Sequence, residues 1–280
     1  MLRTAWITIT DDGIASFNMP EVKCGKIVKY PDGQQDILLD YNFFKEVEYN
    51  TVHITTRLRN WFDLERLVAL VSAIRGTSIQ REITINVAIT YFCGARSDRR
   101  FQNGGNFYLR DVICPVINSL NLNSVGILDP HSDVVLNTVN RAYGVEHLQT
   151  KVIQTLNIPD LNIICPDIGA FKRMDGKYKL PIIQATKHRD VNGKITGTAI
   201  LADCKDKDAL IIDDLCDGGR TFIEISKKFK EMGGNAIFLA VTHGIFSAGL
   251  DVLRPHFNGI FCTNSYSDID DTFVTQENVI

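Results

Sequence analysis

The sequence predicts an α/β protein built from two doubly wound, mainly parallel-sheet domains. Apolar strand-like runs alternate with helically spaced apolar positions along most of the 280 residues, the signature of strand–helix–strand crossovers. The alternation runs twice and thins between residues 137 and 150, which predicts domains at 1–141 and 142–280. Polar clusters follow directly on the predicted strands, where a parallel sheet gathers its ligands.

In the first half, Val52 to Thr55 reads as a strand. A helix from Asp63 to Arg75 follows, with Leu64, Leu67, Val68, Val71 and Ile74 on one face. Ile83 to Phe92 reads as a buried strand, Arg110 to Leu120 as a helix, and Ser124 to Leu128 as a strand. The second half has a helix before Asn157, then strands at Asn162–Cys165, Leu180–Ala185, Ala209–Ile212, Ala236–Val241 and Gly259–Cys262. Phe222, Ile225, Phe229 and Met232 predict a helix opening at Thr221, which Gly233 and Gly234 stop.

The strand at Ala209 ends in adjacent carboxylates, Asp213 and Asp214, before the glycine turn Gly218-Gly219 and that helix. Successive backbone N–H groups and the positive helix end make a phosphate cradle. Paired acids beside it suit the vicinal hydroxyls of a ribose, so a sugar phosphate is the natural ligand. The plainer alternative is a solvated acidic corner on an ordinary strand–turn–helix.

Composition narrows the class. The chain is 45% hydrophobic and 22% charged, enough for full cores and without a disorder signature. A net charge of −3 argues against a nucleic-acid footprint over the whole surface. Seven cysteines without a CxxC pair predict reduced thiols in a cytoplasmic protein. No apolar run approaches a membrane span, and the N-terminus lacks a signal-peptide core.

The remaining clusters fall at strand ends. Cys93 to Arg100, with Arg96, Ser97 and Asp98, is basic enough for a polyphosphate and its metal; solvated basic loops are the more common meaning of such runs. Asp129-Pro130-His131-Ser132 places a histidine between carboxylates, a candidate Mg²⁺ ligand directly or through water. Pro166 to Arg173 brings Asp167, a glycine and cations, and Lys187-His188-Arg189 follows the next strand.

Taken in order, these segments resemble the ribose-phosphate pyrophosphokinase (PRPP synthetase) family, built from two type I phosphoribosyltransferase-like domains. The likeness runs from about Lys29 to Ser265. Tyr30-Pro31-Asp32-Gly33-Gln34 resembles an adenine-contacting Phe-Ser-Asp-Gly-Glu. Ala95-Arg96-Ser97-Asp98-Arg99 resembles the ATP-binding Ala-Arg-Gln-Asp-Arg, and Asp129-Pro130-His131-Ser132 a metal-site Asp-Leu-His-Ser. Cys165 to Gly169 resembles the pyrophosphate loop. Lys187-His188-Arg189 falls on the Lys-Arg-Arg of a flexible catalytic loop, and Asp213 to Thr221 on the ribose 5-phosphate loop. Gln34, Ser97 and Arg220 stand where the family has glutamate, glutamine and glycine.

The resemblance implies transfer of the pyrophosphoryl group of Mg·ATP to the 1-hydroxyl of ribose 5-phosphate, giving PRPP and AMP. It assigns Asp32, Gln34, Arg96, Ser97 and Asp98 to ATP, and His131 and Asp167 to Mg²⁺. Asp213, Asp214, Asp217, Gly218, Gly219, Arg220 and Thr221 go to ribose 5-phosphate, and Lys187 and Arg189 act as catalytic cations. A PRPP-consuming transferase and a non-catalytic regulatory homologue remain as alternatives. The family's first helix and a terminal helix are not evident in this sequence. The expected assembly is therefore a homo-oligomer of at least a dimer, with higher assembly weakened.

Overall fold

The computed structural model describes residues 4–16, 23–40, 50–77, 82–146, 149–174, 176, 180–189, 195–200 and 202–280. The side chains of 149–151, 173, 186–189 and 195–198 lie outside that description. The chain divides into two compact units, Met1–Glu146 and His147–Val279.

The first unit is one eight-stranded sheet, ordered β4-β3-β2-β1-β5-β6-β7-β8. Its parallel part comprises β1 (Thr4–Ile9), β5 (Thr51–Leu58), β6 (Thr84–Phe92), β7 (Ser124–Leu128) and β8 (Ala142–Val145). An antiparallel run of β2 (Ile14–Ser16), β3 (Lys23–Lys29) and β4 (Gln35–Leu39) extends it beyond β1. The sequence reading passed over most of these strands because they are short and their apolar content is broken by lysine and glycine. A boundary after residue 141 would give β8 to the second unit; it pairs with β7 instead, so the second unit begins at His147.

Helix α1 (Trp61–Gly76) follows β5 and is capped by Asn60, whose side chain accepts from the amides of Phe62 and Asp63. Leu64, Leu67, Val71 and Ile74 are buried as expected, and so is Leu70, whereas Val68 is half-buried. The segment expected as one helix from Arg110 begins as a π-helical turn, Leu109–Ile113, and continues as α2 (Cys114–Ser119). Pro115 explains the change. It offers no N–H to the preceding turn and crowds its carbonyl, and the amide of Cys114 reaches back to Leu109 in the wide spacing of a π-turn. A short helix, α3 (Asp133–Thr138), leads into β8.

The second unit is a seven-stranded sheet ordered β11-β10-β9-β12-β13-β14-β15. After α4 (Gln149–Leu156) come β9 (Asn162–Cys165), α5 (Ile168–Met174), β10 (Ile182–Arg189), β11 (Ile195–Ile200) and β12 (Ala209–Cys216). Helix α6 (Arg220–Glu231), β13 (Ile237–Gly244), β14 (Gly259–Thr263) and β15 (Val274–Glu277) complete it. All pairs are parallel except β10–β11. Four apolar residues, Ala209–Ile212, are fully buried, as a strand covered on both faces requires.

The end of α6 is a Schellman motif. Gly233 takes φ 84°, its amide bonds Lys230, and the amide of Gly234 bonds Phe229. The Phe229 side chain has no exposed surface and lies against Gly234. Phe229→Ala should therefore destabilise the second unit by ~3–5 kcal/mol through lost burial and the cavity left behind. Chemical denaturation followed by circular dichroism measures this, and a loss under about 1 kcal/mol would contradict it.

Candidate active site

In the second unit, parallel pairing of β9 with β12 (Ile164 opposite Ile211) puts the loops after both strands at one edge. Asp213 and Asp214 end the β12 core run. Pleating sends neighbouring side chains to opposite faces: Asp213 is half-buried, whereas Asp214 is only 3% exposed. The carboxylates therefore do not stand side by side. Asp213 Oδ1 accepts from the amide of Asp214 at 3.0 Å.

The turn after β12 is held from below. The amides of Ile245 and Phe246 both donate to the carbonyl of Cys216, at 2.9 and 3.1 Å. Gly219 is the N-cap of α6, with φ 76° and no side chain to satisfy the first-turn amides. A β-carbon there would stand 2.6 Å from Leu253 Cδ2, so glycine is required for space as well as conformation. Gly218 faces open space, with the Ser247 hydroxyl the nearest atom at 4.0 Å. Arg220 and Gly218 are exposed, Thr221 and Asp217 half-buried. No acidic side chain occupies the first turn of α6, leaving its positive end available to an anion.

Asp167, after β9, is exposed and caps α5, its Oδ1 accepting from the amide of Ala170 at 2.9 Å. One carboxylate oxygen is thus engaged in the fold. Lys187 and Arg189, expected on a flexible loop, lie on β10. Lys187 pairs with Thr198 and Arg189 with Ile195 of β11, and the ladder slips between His188 and Arg189. Their side chains lie outside the described residues.

Two thiols near these loops, Cys216 and Cys93, are held in the protonated form. Burial, with the charges of Asp217 and Asp213 adding to it, pushes the Cys216 thiol up to about 12. Burial likewise pushes Cys93, after β6, up to about 11. His243, beside Leu215 in the sheet, is buried with Nδ1 2.8 Å from the Ser265 hydroxyl.

In the first unit, β1, β5, β6 and β7 run parallel, and β3 runs in the same direction through two antiparallel steps. The turns after these strands therefore share an edge. Asp32 and Gln34 sit at the β3–β4 hairpin tip, exposed, with the amide of Gln34 donating to Asp32 Oδ1 at 3.1 Å. Arg96 is exposed in the turn after β6, where Ser97 N donates to Gly94 O at 2.8 Å and Leu109 N to Ser97 O at 3.2 Å. Ser97 and Asp98 are half-buried. Gly94, at φ 73°, lies under the Tyr108 ring, which leaves no room for a side chain. After β7, Asp129 is buried and left-handed (φ 37°), His131 is half-buried, and Ser132 caps α3.

A polar network at this same edge escaped the sequence reading. Arg59, just past β5, donates to Asp63 Oδ2 at 2.8 Å and through two nitrogens to Asp11, past β1, at 2.5 and 3.3 Å. Arg66 joins Asp63 at 3.3 Å, and its Nε donates to the buried Gln35 at 2.7 Å. The Asn60-x-x-Asp63 spacing, an N-cap with an acid at N3, was the available signal.

Among the described residues, no group of three or more His, Cys, Asp and Glu side chains could hold a metal ion alone. Mg²⁺ does not need one: it usually takes one or two carboxylates and completes its shell with waters and substrate phosphates. Asp167 and Asp213, on adjacent strands, supply oxygen donors of that kind. No helix among the described residues is long and apolar enough to cross a membrane.

No family model matches the chain, but individual known proteins do. A ribose-phosphate pyrophosphokinase of Haemophilus ducreyi is 24% identical over 213 residues, 72% of this chain and 66% of that protein. One of Mycoplasma pneumoniae is 26% identical over 193 residues, 66% of this chain and 57% of that protein. The chain is similar in sequence to these ribose-phosphate pyrophosphokinases. A phosphoribosylpyrophosphate synthetase crystal structure from Mycobacterium smegmatis shares the fold, with TM-score 0.76 and 16% identity, covering 92% of this chain and 87% of that one. The α/β class with two mainly parallel-sheet units is shared with that structure. The alignments to the Haemophilus and Mycoplasma proteins leave about a third or more of each unmatched.

The Arg59 guanidinium holds the Asp11 carboxyl below the usual carboxylate range. A carboxyl depressed on folding contributes stability that is present above its unfolded value, about 3.9, and lost as pH falls through the lower folded value. Asp11→Asn should remove that part of the acid limb and leave the neutral-to-alkaline profile parallel to the parent. Melting temperature measured from about pH 3 to 7 checks this; an unchanged acid limb would refute the ion pair.

Proposed function

We propose that the chain transfers the pyrophosphoryl group of Mg·ATP to the 1-hydroxyl of ribose 5-phosphate, giving PRPP and AMP. The observation that carries this reading is the loop from Asp213 to Thr221. It offers a strand-end acid, an open glycine, a left-handed glycine cap without a side chain, and an exposed cation at the first helical residue. In this reading Gly218, Gly219, Arg220 and Thr221 take the 5-phosphate, with Asp217 beside them. Asp213 takes the ribose hydroxyls from its half-exposed position, with Asp214 buried on the opposite face of the strand. Arg96, with Ser97 and Asp98, binds the triphosphate, and Asp32 and Gln34 meet the adenine.

His131 in the first unit and Asp167 in the second would each serve as a Mg²⁺ ligand, and the metal when bound would neutralise charge on the triphosphate oxygens. The chain's own contribution is alignment and electrostatics. Transfer of this kind needs no enzyme nucleophile, and the raised thiols of Cys93 and Cys216 fit that requirement. Lys187 and Arg189 meet the charge that develops during transfer, from a paired strand rather than an unstructured loop. The protein acts in the cytoplasm, on ATP and ribose 5-phosphate.

Assembly is part of the proposal. The hairpin tip on β3 and the Arg96 turn on β6 are separated in the ladder by β2, β1 and β5. At ~4.8 Å per strand that is roughly 19 Å along the edge, a wide gap for one nucleotide to bridge within a single chain. A homodimer in which each copy completes its neighbour's ATP site resolves this.

AMP should form in step with PRPP, only with both ribose 5-phosphate and Mg²⁺ present. A requirement for supplied PRPP and a base, with release of pyrophosphate, would overturn the synthetase reading. Lys187→Ala and Arg189→Ala should each lower kcat by about a hundredfold, ~3 kcal/mol, with far smaller changes in substrate affinity. His188 should tolerate substitution. Equal losses in affinity with unchanged turnover would make this segment a binding element alone.

Light scattering over a concentration series should show a dimer as the main species. A monomer with full activity would refute the assembly.

A further inference from the structure

We infer that Gln35 and Arg66 are positioning residues for nucleotide binding, fixing the exposed turn that presents Asp32 and Gln34. The inference rests on the reading of that turn as an ATP contact. The turn itself is tied only by short local bonds: Tyr30 N to Gln34 O at 2.9 Å, Gly33 N to Tyr30 O at 3.0 Å, and Gln34 N to Asp32 Oδ1. Residues 31–34 are all exposed, and nothing in those bonds sets where the tip lies relative to the rest of the edge. The next residue reverses the pattern. Gln35 is 6% exposed, an unusual environment for a glutamine unless each amide atom is satisfied.

Each is satisfied, and always by α1. Gln35 N donates to Glu65 Oε1 at 3.3 Å, Nε2 donates to Glu65 Oε2 at 3.3 Å and to the Phe62 carbonyl at 3.4 Å, and Oε1 accepts from Arg66 Nε at 2.7 Å. These partners lie 27 to 31 residues away in sequence. Arg66 is itself held, donating to Asp63 at 3.3 Å and Asp11 at 3.5 Å, and both acids are shared with Arg59. The fork of a guanidinium can serve Gln35 through Nε while NH1 serves the acids; a lysine ammonium cannot reproduce that geometry.

A continuous chain of polar contacts thus runs from the loop after β1, through the loop after β5 and the first turns of α1, to the base of the hairpin. Asp11 is largely exposed at one end of it, and Gln35 is buried at the other. Local hydrophobic packing would have sufficed to attach the hairpin to the sheet. A fully satisfied buried network instead fixes one orientation, because any shift leaves buried polar atoms unpaired.

The test uses the full-length protein and two readouts. Binding of Mg²⁺ with a non-hydrolysable ATP analogue is measured by calorimetry, and kcat and both KM values by AMP release. Arg66→Met and Gln35→Met should each weaken nucleotide binding about tenfold, the scale of one lost charge-assisted hydrogen bond. The KM for ribose 5-phosphate and kcat should stay within about twofold, since the turn touches neither the sugar nor the transferring group. The double variant should be no worse than the weaker-binding single, because both break the same contact. Arg66→Lys should recover little.

Unchanged nucleotide affinity in both single variants, additive losses in the double variant, or parallel falls in kcat and both substrate affinities would overturn the inference. If Arg66→Met does not fold, Gln35→Met alone carries the test through the same affinity split. Failure of the parent protein to release AMP would sink the proposed reaction. The calorimetric result would still judge the positioning role, since it needs no turnover, and a parent that binds no nucleotide would overturn that role as well.

Discussion

Parallel strand pairing is the constraint on which the candidate site depends. A parallel ladder delivers the C-terminal ends of its strands to one edge, so whatever follows each strand is gathered there without any need for closeness in sequence. In the second unit this brings Asp167 and Asp213 to adjacent strand ends. In the first it aligns the turns holding Asp11, Arg59, Arg96 and Asp129. The cost is a row of loops that must each be fixed individually. The structure does so with small devices: two amides on the Cys216 carbonyl, a tyrosine ring over Gly94, serine and aspartate caps at Ser132 and Asp167.

What the sequence disclosed follows from where apolar burial is two-sided. The strands at Asn162–Cys165 and Ala209–Ile212 are covered on both faces and read as continuous apolar runs, whereas Ile85–Ile89 was found through its buried alternate positions, with Asn86 half-buried and Ala88 exposed. The N-terminal antiparallel strands alternate with exposed lysines and glycine, as in Lys23–Lys29, and gave no run to detect. Helix α6 was legible because its buried positions, Phe222, Ile225 and Phe229, keep helical spacing up to a two-glycine stop. The π-turn before Pro115 was not, because propensity carries no information about which carbonyl a proline displaces.

Site residues show the same division. Most residues singled out lie near the C-terminal end of a strand or in the turn after it, since polar residues ending an apolar run are conspicuous; Lys187 and Arg189 lie within β10 instead, and Arg220 and Thr221 open α6. Their orientation was not legible. Asp213 and Asp214 read as an equivalent pair, yet strand pleating buries one and half-exposes the other. The ion pairs of Arg59 and Arg66 were hidden for another reason: Asp11 and Gln35 stand 55 and 31 residues from Arg66, and nothing local marks such partners.

Those hidden contacts bear on how the two units differ. In the second unit the loop after β12 is fixed mainly by backbone: a β-carbon at Gly219 would stand against Leu253, and the first turn of α6 presents amides. Backbone donors move little and cost no side-chain entropy, which suits a group bound the same way each time. The first unit holds its edge with long charged side chains, Arg59 and Arg66, between loops far apart in the chain. Such ties keep their geometry only while every partner is present. Substitutions at the edge of the first unit therefore propagate from one loop to the next, whereas those in the loop after β12 of the second act where they are made.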